Sequence, residues 1–148
     1  SVGQFGSSVA ISTDTQTLLV GGRYVDDYHG VVVLYHRSTT ADQFNPLQTI
    51  YGEMKDYHFG GAIDMTSNGL AMVVAASNAN FGGIGSGSVY LFVRYTRNDP
   101  FEQVSRVDGQ CVYERLGYNG VAIEVRDDTF LVHAKANYGK CVDYINNI

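Results

Sequence analysis

Several features are scarce or missing in this sequence, and each absence excludes a class of protein. The 148 residues include no tryptophan, two prolines, two cysteines and only 17% charged residues. Asp and Glu (15) outnumber Lys and Arg (10), and no basic run occurs, so the electrostatic footprint of a nucleic-acid-binding protein is missing. No apolar stretch approaches the ~18–20 residues of a membrane-spanning helix. The sequence therefore predicts neither a nucleic-acid partner nor membrane insertion.

Signatures of catalysis are missing as well. The four histidines show no metal-ligand spacing, and a Gly-x-Ser-x-Gly nucleophile elbow does not occur. The stretch FGGIGSGS (81–88) superficially suggests a phosphate loop, but it leads into a strand-like run rather than a helix. The acidic pairs Asp26-Asp27 and Asp127-Asp128 are the one motivation for a hydrolase, and acidic pairs in turns are usually just solvated. We expect no enzyme activity, no cofactor and no metal ion.

The sequence does contain an internal repeat. FGSSVAISTDTQTLLVGG from Phe5 is matched without a gap by FGGAIDMTSNGLAMVVAAS from Phe59. Both copies continue through a polar loop to a glycine-led apolar strand, GVVVLYHR and GSVYLFVRY. A weaker third copy begins near Leu116, and its VAIEVRDDTFLVHA (121–134) aligns without a gap with VAISTDTQTLLVGG (9–22). The spacing between copies is thus 54 and then 58 residues.

Each copy has the pattern of four short strands. Apolar runs rich in Val, Ile, Leu and Tyr alternate with segments of Gly, Asn, Asp and Ser. The runs TLLVGG and AMVVAA are apolar on both faces, as expected for strands that lie between two neighbouring sheets. A repeated four-stranded unit of about 50 residues is typical of a β-propeller blade. We predict an all-β fold, a single partial β-propeller segment over residues 1–148, with blade 1 at 5–58, blade 2 at 59–115 and most of a third blade at 116–148.

The pattern resembles the FG-GAP repeats of integrin α-subunit-type β-propellers over nearly the whole chain. It consists of Phe-Gly, an apolar strand, a Leu-Leu-Val-Gly-Gly-like strand and then Gly-x-Val-Tyr. The resemblance implies that Phe5, Phe59 and Leu116 wedge between adjacent blades. Many repeats of this family carry a calcium loop between their first two strands. Here the segments are STDTQ, TSNG and VRDD, which lack the several oxygen ligands that Ca²⁺ needs, so we expect no metal ion there.

The two cysteines leave two interpretations open. Cys111 and Cys141 are either buried free thiols or one disulfide formed in an oxidising compartment. We favour the disulfide, because it would close a loop of about 30 residues in the least typical blade and contribute about 3–4 kcal/mol. It also favours an extracellular location, secreted or at the cell surface.

A candidate ligand face follows from the resemblance. In such propellers the loops between second and third strands share one face with the connections between blades. Tyrosine and asparagine combine rigid contact area with adaptable hydrogen bonds, although turns collect the same residues for structural reasons. The candidate residues on this face are Tyr24, Asp26, Asp27, Tyr28, Asn78, Asn80, Asn137 and Tyr138.

The expected function is therefore a non-enzymatic extracellular structural or adhesion module. Two blades and most of a third would leave apolar faces and a strand edge unpaired, so other propeller blades or chains must complete the assembly. The alternative is a lectin-like protein that binds carbohydrate and closes its propeller by homo-oligomerisation. A protein ligand on the candidate face is a further option, and a hydrolase that uses the acidic pairs ranks third.

Overall fold

The fold consists of strands joined by turns and loops. The structure, a computed structural model, describes residues 3–137 and 144–147, the second range by its backbone alone. Strands but no helix occur among these residues, which confirms the all-β prediction, and no described segment is a helix long and apolar enough to cross a membrane. The strands are β1 (Phe5–Ile11), β2 (Thr17–Gly22), β3 (Val31–His36), β4 (Asn45–Tyr51), β5 (Phe59–Met65), β6 (Ala71–Ala76), β7 (Ser88–Val93), β8 (Glu102–Asp108), β9 (Val121–Arg126), β10 (Thr129–Ala134) and β11 (Tyr144–Asn147).

The described strands form three antiparallel sheets in which neighbours along the chain are neighbours in space. Sheet 1 has the order β1-β2-β3-β4, sheet 2 the order β5-β6-β7-β8 and sheet 3 the order β9-β10-β11. Short polar turns permit this arrangement, because antiparallel strands need only a tight connection.

Sheets 1 and 2 are the same unit at the level of strand register. Phe5 lies opposite Gly22 in sheet 1, and Phe59 lies opposite Ala76 in sheet 2. Both first strands carry an irregularity directly after this phenylalanine. A second irregularity recurs in the pairing of the third and fourth strands, at Leu34/Tyr35 and at Leu91/Phe92. The repeat in the sequence is therefore a repeat of backbone geometry, including its departures from regular pairing.

The strand pairing in sheet 3 differs from the pairing that the gapless alignment predicts. Asp127 and Asp128 both have left-handed backbones (φ 50° and 60°) and join Arg126 directly to Thr129 as a two-residue turn. Because this turn is shorter than its counterparts, Ile123 lies opposite Val132, just as Val9 lies opposite Val20. Ile123, and not Val121, thus takes the position of Val9. The gapless alignment is wrong by two residues for β9.

Sheet 2 lies between the other two sheets, and its middle strands, β6 and β7, are buried on both faces. Alternate side chains of a strand point to opposite faces, so β6 and β7 contribute to two separate cores. One core joins Leu19, Val32 and Leu34 of sheet 1 to a set from sheet 2 that includes Met72, Val74, Tyr90 and Phe92. The other joins sheet 2 to sheet 3 through Ala71, Val73, Ala75, Val89, Leu91, Leu116, Ile123 and Val132.

The three residues expected to wedge between blades have different surroundings. Phe59 is 3% exposed and belongs to the core between sheets 1 and 2. Leu116 is buried in the core between sheets 2 and 3. Phe5 departs from the expectation, because its side chain is 49% exposed and no described sheet packs on that side of β1. The same register position is thus core in sheet 2 and surface in sheet 1.

The turns that stand in place of calcium loops are held by their own side chains. The Ser12 hydroxyl donates to Asp14 Oδ1 over 2.6 Å and accepts from the Thr17 amide over 3.0 Å. Thr66 does the same with Asn68 Oδ1 at 2.8 Å and the Ala71 amide at 3.0 Å. In the described part of the chain, no three His, Cys, Asp or Glu side chains are grouped to hold a metal ion.

Candidate functional site

The loops after the second strands and the connections between sheets meet at one end of the sheets. We call this end the loop face and define it as residues 23–30, 52–58, 77–87 and 109–120. The Asp56 amide donates to the Tyr28 carbonyl over 2.9 Å, and the Asn78 side chain donates to the Asp56 carbonyl over 2.7 Å. The next junction is joined in a similar way, since the Asn137 amide donates to the Glu114 carbonyl over 3.0 Å.

Glycines permit this close approach. Gly30 has φ +84° and pairs with Phe59 in a parallel bridge, and a Cβ atom on it would lie 2.1 Å from the Phe59 carbonyl oxygen. Gly87, with φ +80°, pairs with Leu116 in the same way and leaves 2.3 Å to its amide nitrogen. Both positions accept only glycine, because the backbone is left-handed and a side chain has no space. The repeated glycines thus bring the loop and the following connection side by side at each junction.

An aromatic trio, Tyr24, Tyr28 and His58, lies at the junction of sheets 1 and 2. Tyr24 is its centre, with ring centroids 5.8 Å from Tyr28 and 5.0 Å from His58, both in edge-on geometry. The Arg23 guanidinium lies 4.9 Å from the centre of the Tyr24 ring. Edge-on aromatic pairs and cations over ring faces are favourable contacts. They fix the trio while Tyr28 stays 42% exposed.

The backbone beside the trio is unusual. Asp26, Asp27 and Tyr28 have consecutive positive φ angles of 54°, 53° and 71°. Residues other than glycine adopt this conformation at a cost of roughly 1–2 kcal/mol each, and such backbone clusters at ligand-binding segments. The segment presents the Tyr28 ring outward, over which the Lys55 ammonium lies at 5.9 Å.

The two residues of the acidic pair in this loop contact different partners. Asp27 Oδ2 lies 2.8 Å from Lys55 Nζ, and this hydrogen bond lowers the pKa of the Asp27 carboxyl below its ordinary range. The carbonyl of Asp26 lies 2.7 Å from His29 Nδ1. A carboxyl that a lysine holds ionised, as Lys55 holds Asp27, is unsuited to donate a proton as a general acid.

His58 is a functional candidate that the sequence pattern did not single out. Burial lowers the pKa of its imidazole below the ordinary 6.5, and the nearby charges of Arg23 and Arg115 lower it further against the opposing charge of Asp56. The ring is therefore neutral at pH 7. Since the unfolded chain binds this proton at a higher pH than the folded chain, the free energy of unfolding decreases as the pH falls below about 6.5.

The predicted asparagines of this face form hydrogen bonds with neighbouring loops and connections. Asn80 Oδ1 accepts from the Gly85 amide over 2.7 Å, and Asn78 binds the neighbouring connection. Asn137 contacts the Asn119 side-chain amide at 3.5 Å. Tyr138 lies outside the described residues. Of the predicted set, the structure thus gathers Tyr24, Asp27 and Tyr28 around one junction, whereas the asparagines stabilise loop conformation.

The connection that carries Cys111 is organised by a buried carboxylate. Glu114 is 1% exposed, and its Oε2 accepts from the amides of Gln110 (2.7 Å) and Cys111 (3.0 Å). The predicted partner, Cys141, lies outside the described residues, so the disulfide stays a prediction. Sequence reasoning missed Glu114, because a lone glutamate in a polar connection gives no signal of burial.

A cavity of about 460 Å³ lies at the other end of sheet 1, away from the loop face. Its lining includes His36 at the end of β3, Arg37 and Asp42. Asp42 Oδ2 accepts from the amide and the hydroxyl of Thr39 over 2.8 and 2.9 Å, and Arg37 Nε donates to the Thr15 carbonyl over 2.8 Å. The charged groups of this cavity therefore hold the adjacent turns.

Comparison with known proteins identifies no family for this chain. No protein-family model matches the chain. No curated protein matches it either. The loop face offers exposed aromatic rings, an ion pair and hydrogen-bonding groups, all of which can make non-covalent contacts with a ligand.

Proposed function

We propose that this chain is a non-enzymatic structural module of the β-propeller type, in which each sheet is a blade and further blades complete the assembly. The first strands of successive sheets, β1, β5 and β9, lie against one another, as the inner strands of blades do around a propeller axis. The two junctions also repeat the same glycine bridges. The resemblance to FG-GAP repeats agrees with this architecture.

The observation that carries the proposal is the outer face of sheet 1, which we call the open face. Its members occupy the register positions that in sheet 2 form the core against sheet 1. Phe5, Val9 and Ile11 are 49, 58 and 52% exposed, whereas Phe59, Ile63 and Met65 are 3, 8 and 7% exposed at the same positions. The open face consists of Phe5, Val9, Ile11, Leu18, Val20, Val33 and Tyr35.

An apolar sheet face of this extent indicates an interaction surface. We propose that another blade covers it in the native protein, and that the assembly serves adhesion or scaffolding outside the cell. The extracellular part of the proposal depends on the Cys111–Cys141 disulfide, because such bonds persist in oxidising compartments.

Replacement of both Val9 and Ile11 by lysine tests the proposed assembly function. The purified chain should bind an apolar dye such as ANS, because the open face is unpaired. The double variant Val9→Lys/Ile11→Lys should reduce dye fluorescence several-fold. Val104→Lys is the matched control, since Val104 is similarly exposed (53%) but lies on β8. A wild-type chain that stays monomeric and binds no dye would contradict the proposal.

A second candidate function, ligand binding at the loop face, is favoured by the aromatic trio and its left-handed segment. Sugars are suitable ligands, because their apolar faces stack on exposed rings while side chains bond their hydroxyls. On a glycan array we expect a hit that Tyr24→Ala weakens at least tenfold, a loss of about 1.4 kcal/mol. Tyr95→Ala is the control, since Tyr95 is 89% exposed and follows the end of β7 opposite to the loop face. Equal binding by both variants would contradict the site.

A further inference from the structure

Each junction between sheets joins two different faces. The later sheet presents its large side chains, and the earlier sheet presents a face with small residues at the end of its second strand. In the first junction this small residue is Gly21, where a Cβ atom would lie 2.3 Å from the Gly60 carbonyl oxygen. Ser8, which pairs with Gly21, donates its hydroxyl to the same oxygen over 2.8 Å. We call this small-residue surface the forward face.

The second junction repeats the arrangement with slightly larger residues. Ala75 takes the position of Gly21, and its Cβ atom lies only 2.6 Å from where a Cβ of Gly117 would be. Asp64 on the same face accepts from the Ile123 amide over 2.9 Å. A forward face therefore requires a residue no larger than alanine at this position, because the backbone of the next sheet occupies the adjacent space.

The forward face of sheet 3 does not meet this requirement. Strand pairing places His133 at the position of Gly21 and Ala75, and places Glu124 at the position of Ala10 and Asp64. Val132 and Ala134 pack against sheet 2, so His133 between them points to the opposite face. Its imidazole takes the space that the backbone of a following sheet would need.

Charge adds to the steric obstacle. Glu124 Oε1 lies 3.0 Å from an Arg126 guanidinium nitrogen and 3.8 Å from His133 Nε2, and all three side chains are about half exposed or more. Covering them with an apolar sheet would remove water from charged groups, which is costly without new partners. The residues of the open face of sheet 1 include no charged side chain that could pair with them.

We propose that assembly is directional. The open face of sheet 1 receives the forward face of another sheet of this repeat, from a polypeptide segment outside these 148 residues, and sheet 3 does not supply that face. The occupant is therefore not a second copy joined head to tail through sheet 3. It carries a glycine or alanine at the position of Gly21 and apolar residues at those of Leu19, Val32 and Leu34. This inference rests on the proposed assembly function and names its partner.

The path of the first described residues agrees with an incoming connection from such a sheet. The Ser7 amide donates to the Gln4 carbonyl over 3.2 Å, as the Gly61 amide donates to the His58 carbonyl over 3.2 Å. Gln4 thus precedes β1 in the same way that His58, at the end of the connection from sheet 1, precedes β5. Its side chain accepts from Arg23 Nε over 2.9 Å on the loop face.

The experiment adds one further sheet to the whole chain and measures how fast a thiol on the open face reacts. Val9→Cys is labelled with a maleimide, and labelling at position 9 is quantified by peptide mapping. With a second copy of residues 3–58 joined in front of Gly3, we expect labelling of the original position 9 to slow at least tenfold. With Gly21→His in the added copy, which imitates His133, the rate should stay within twofold of that of the 148-residue chain.

The opposite arrangement tests direction. When the copy of residues 3–58 is instead joined after Ile148 and carries the Val9→Cys thiol itself, labelling should stay fast. His133→Gly with Glu124→Ala and Arg126→Ser should slow it. Protection without those changes, or none for the copy joined in front, would overturn the inference. Labelling of the 148-residue chain that slows as its concentration rises would also overturn it, because a second copy would then be the occupant.

These results are separable from a failure of the proposed function. A native protein that assembles through another surface would leave the assembly function intact and remove only the directional rule. A monomer with no dye binding would remove both.

Discussion

Phe59→Ala is expected to lower the free energy of unfolding by about 3–5 kcal/mol, the usual cost of removing a large buried aromatic ring. Phe59 is 3% exposed. Its ring lies edge-on to Tyr90 at 5.5 Å and to Phe92 at 6.3 Å, in the core that joins sheets 1 and 2. The loss should appear as a lower denaturant midpoint, because both sheets depend on this core.

The chain supplies a matched control at the same register position. Phe5→Ala removes the same atoms from β1, but the side chain is 49% exposed, so we expect a cost below about 1 kcal/mol in the isolated chain. Once a further sheet covers the open face, the Phe5→Ala cost should rise toward that of Phe59→Ala. Equal losses for the two variants in the isolated chain would contradict the assignment of the open face.

Arg94→Ala is the second variant with a large expected effect, a loss of about 2–4 kcal/mol, since hydrogen bonds from a charged group contribute about 1.5–3 kcal/mol each before relaxation. The Arg94 guanidinium donates to the carbonyls of Gly69 and Arg97 and to the Thr17 hydroxyl over 2.7–3.0 Å. It also lies 4.6 Å from the centre of the Phe101 ring. Burial lowers the pKa of this guanidinium to about 10, so it stays charged at neutral pH.

Arg37 is the control for this variant, because it occupies the same position in sheet 1. It donates to the Thr15 and Thr40 carbonyls over 2.8 and 3.1 Å and lies 4.4 Å from the Phe44 ring centre. These contacts stay within sheet 1, whereas Arg94 reaches Thr17 of the neighbouring sheet. Arg37→Ala should therefore cost about 1 kcal/mol in a denaturant titration. A larger loss for Arg37→Ala than for Arg94→Ala would show that Arg94 does not join the sheets.

The strand content and the repeat could be predicted because they depend on local patterns. The runs TLLVGG and AMVVAA are apolar on both faces, and β6, the second of them, is buried along its whole length. The polar segments STDTQ and TSNG separate the first two strands of sheets 1 and 2. Period-2 alternation and glycine-rich turns need no knowledge of distant residues.

The register of β9 could not be predicted from the same patterns. The alignment of Val121 with Val9 preserved apolar positions, so a two-residue shift was invisible, since it leaves each side chain on the same face. The short Asp127-Asp128 turn decides the pairing through its backbone conformation. Only the three-dimensional pairing shows that Ile123 takes the core position.

The candidate site was predictable in its location and only partly in its members. Tyr24 and Tyr28 follow from the loop after β2. His58 completes the trio from a different connection, and the contact arises because Gly30 and Phe59 bring the two segments together. The exposure of Phe5 was hidden for a similar reason, since it depends on which sheets are present rather than on the residue itself.

Native mass spectrometry of the protein isolated from its natural source shows whether a further sheet covers the open face. We expect a particle heavier than the 16.2 kDa of this chain, in which a further sheet of the same repeat covers Phe5, Val9 and Ile11. A stable monomeric particle of 16.2 kDa that binds no apolar dye would contradict it, because the open face would then be an ordinary solvated surface.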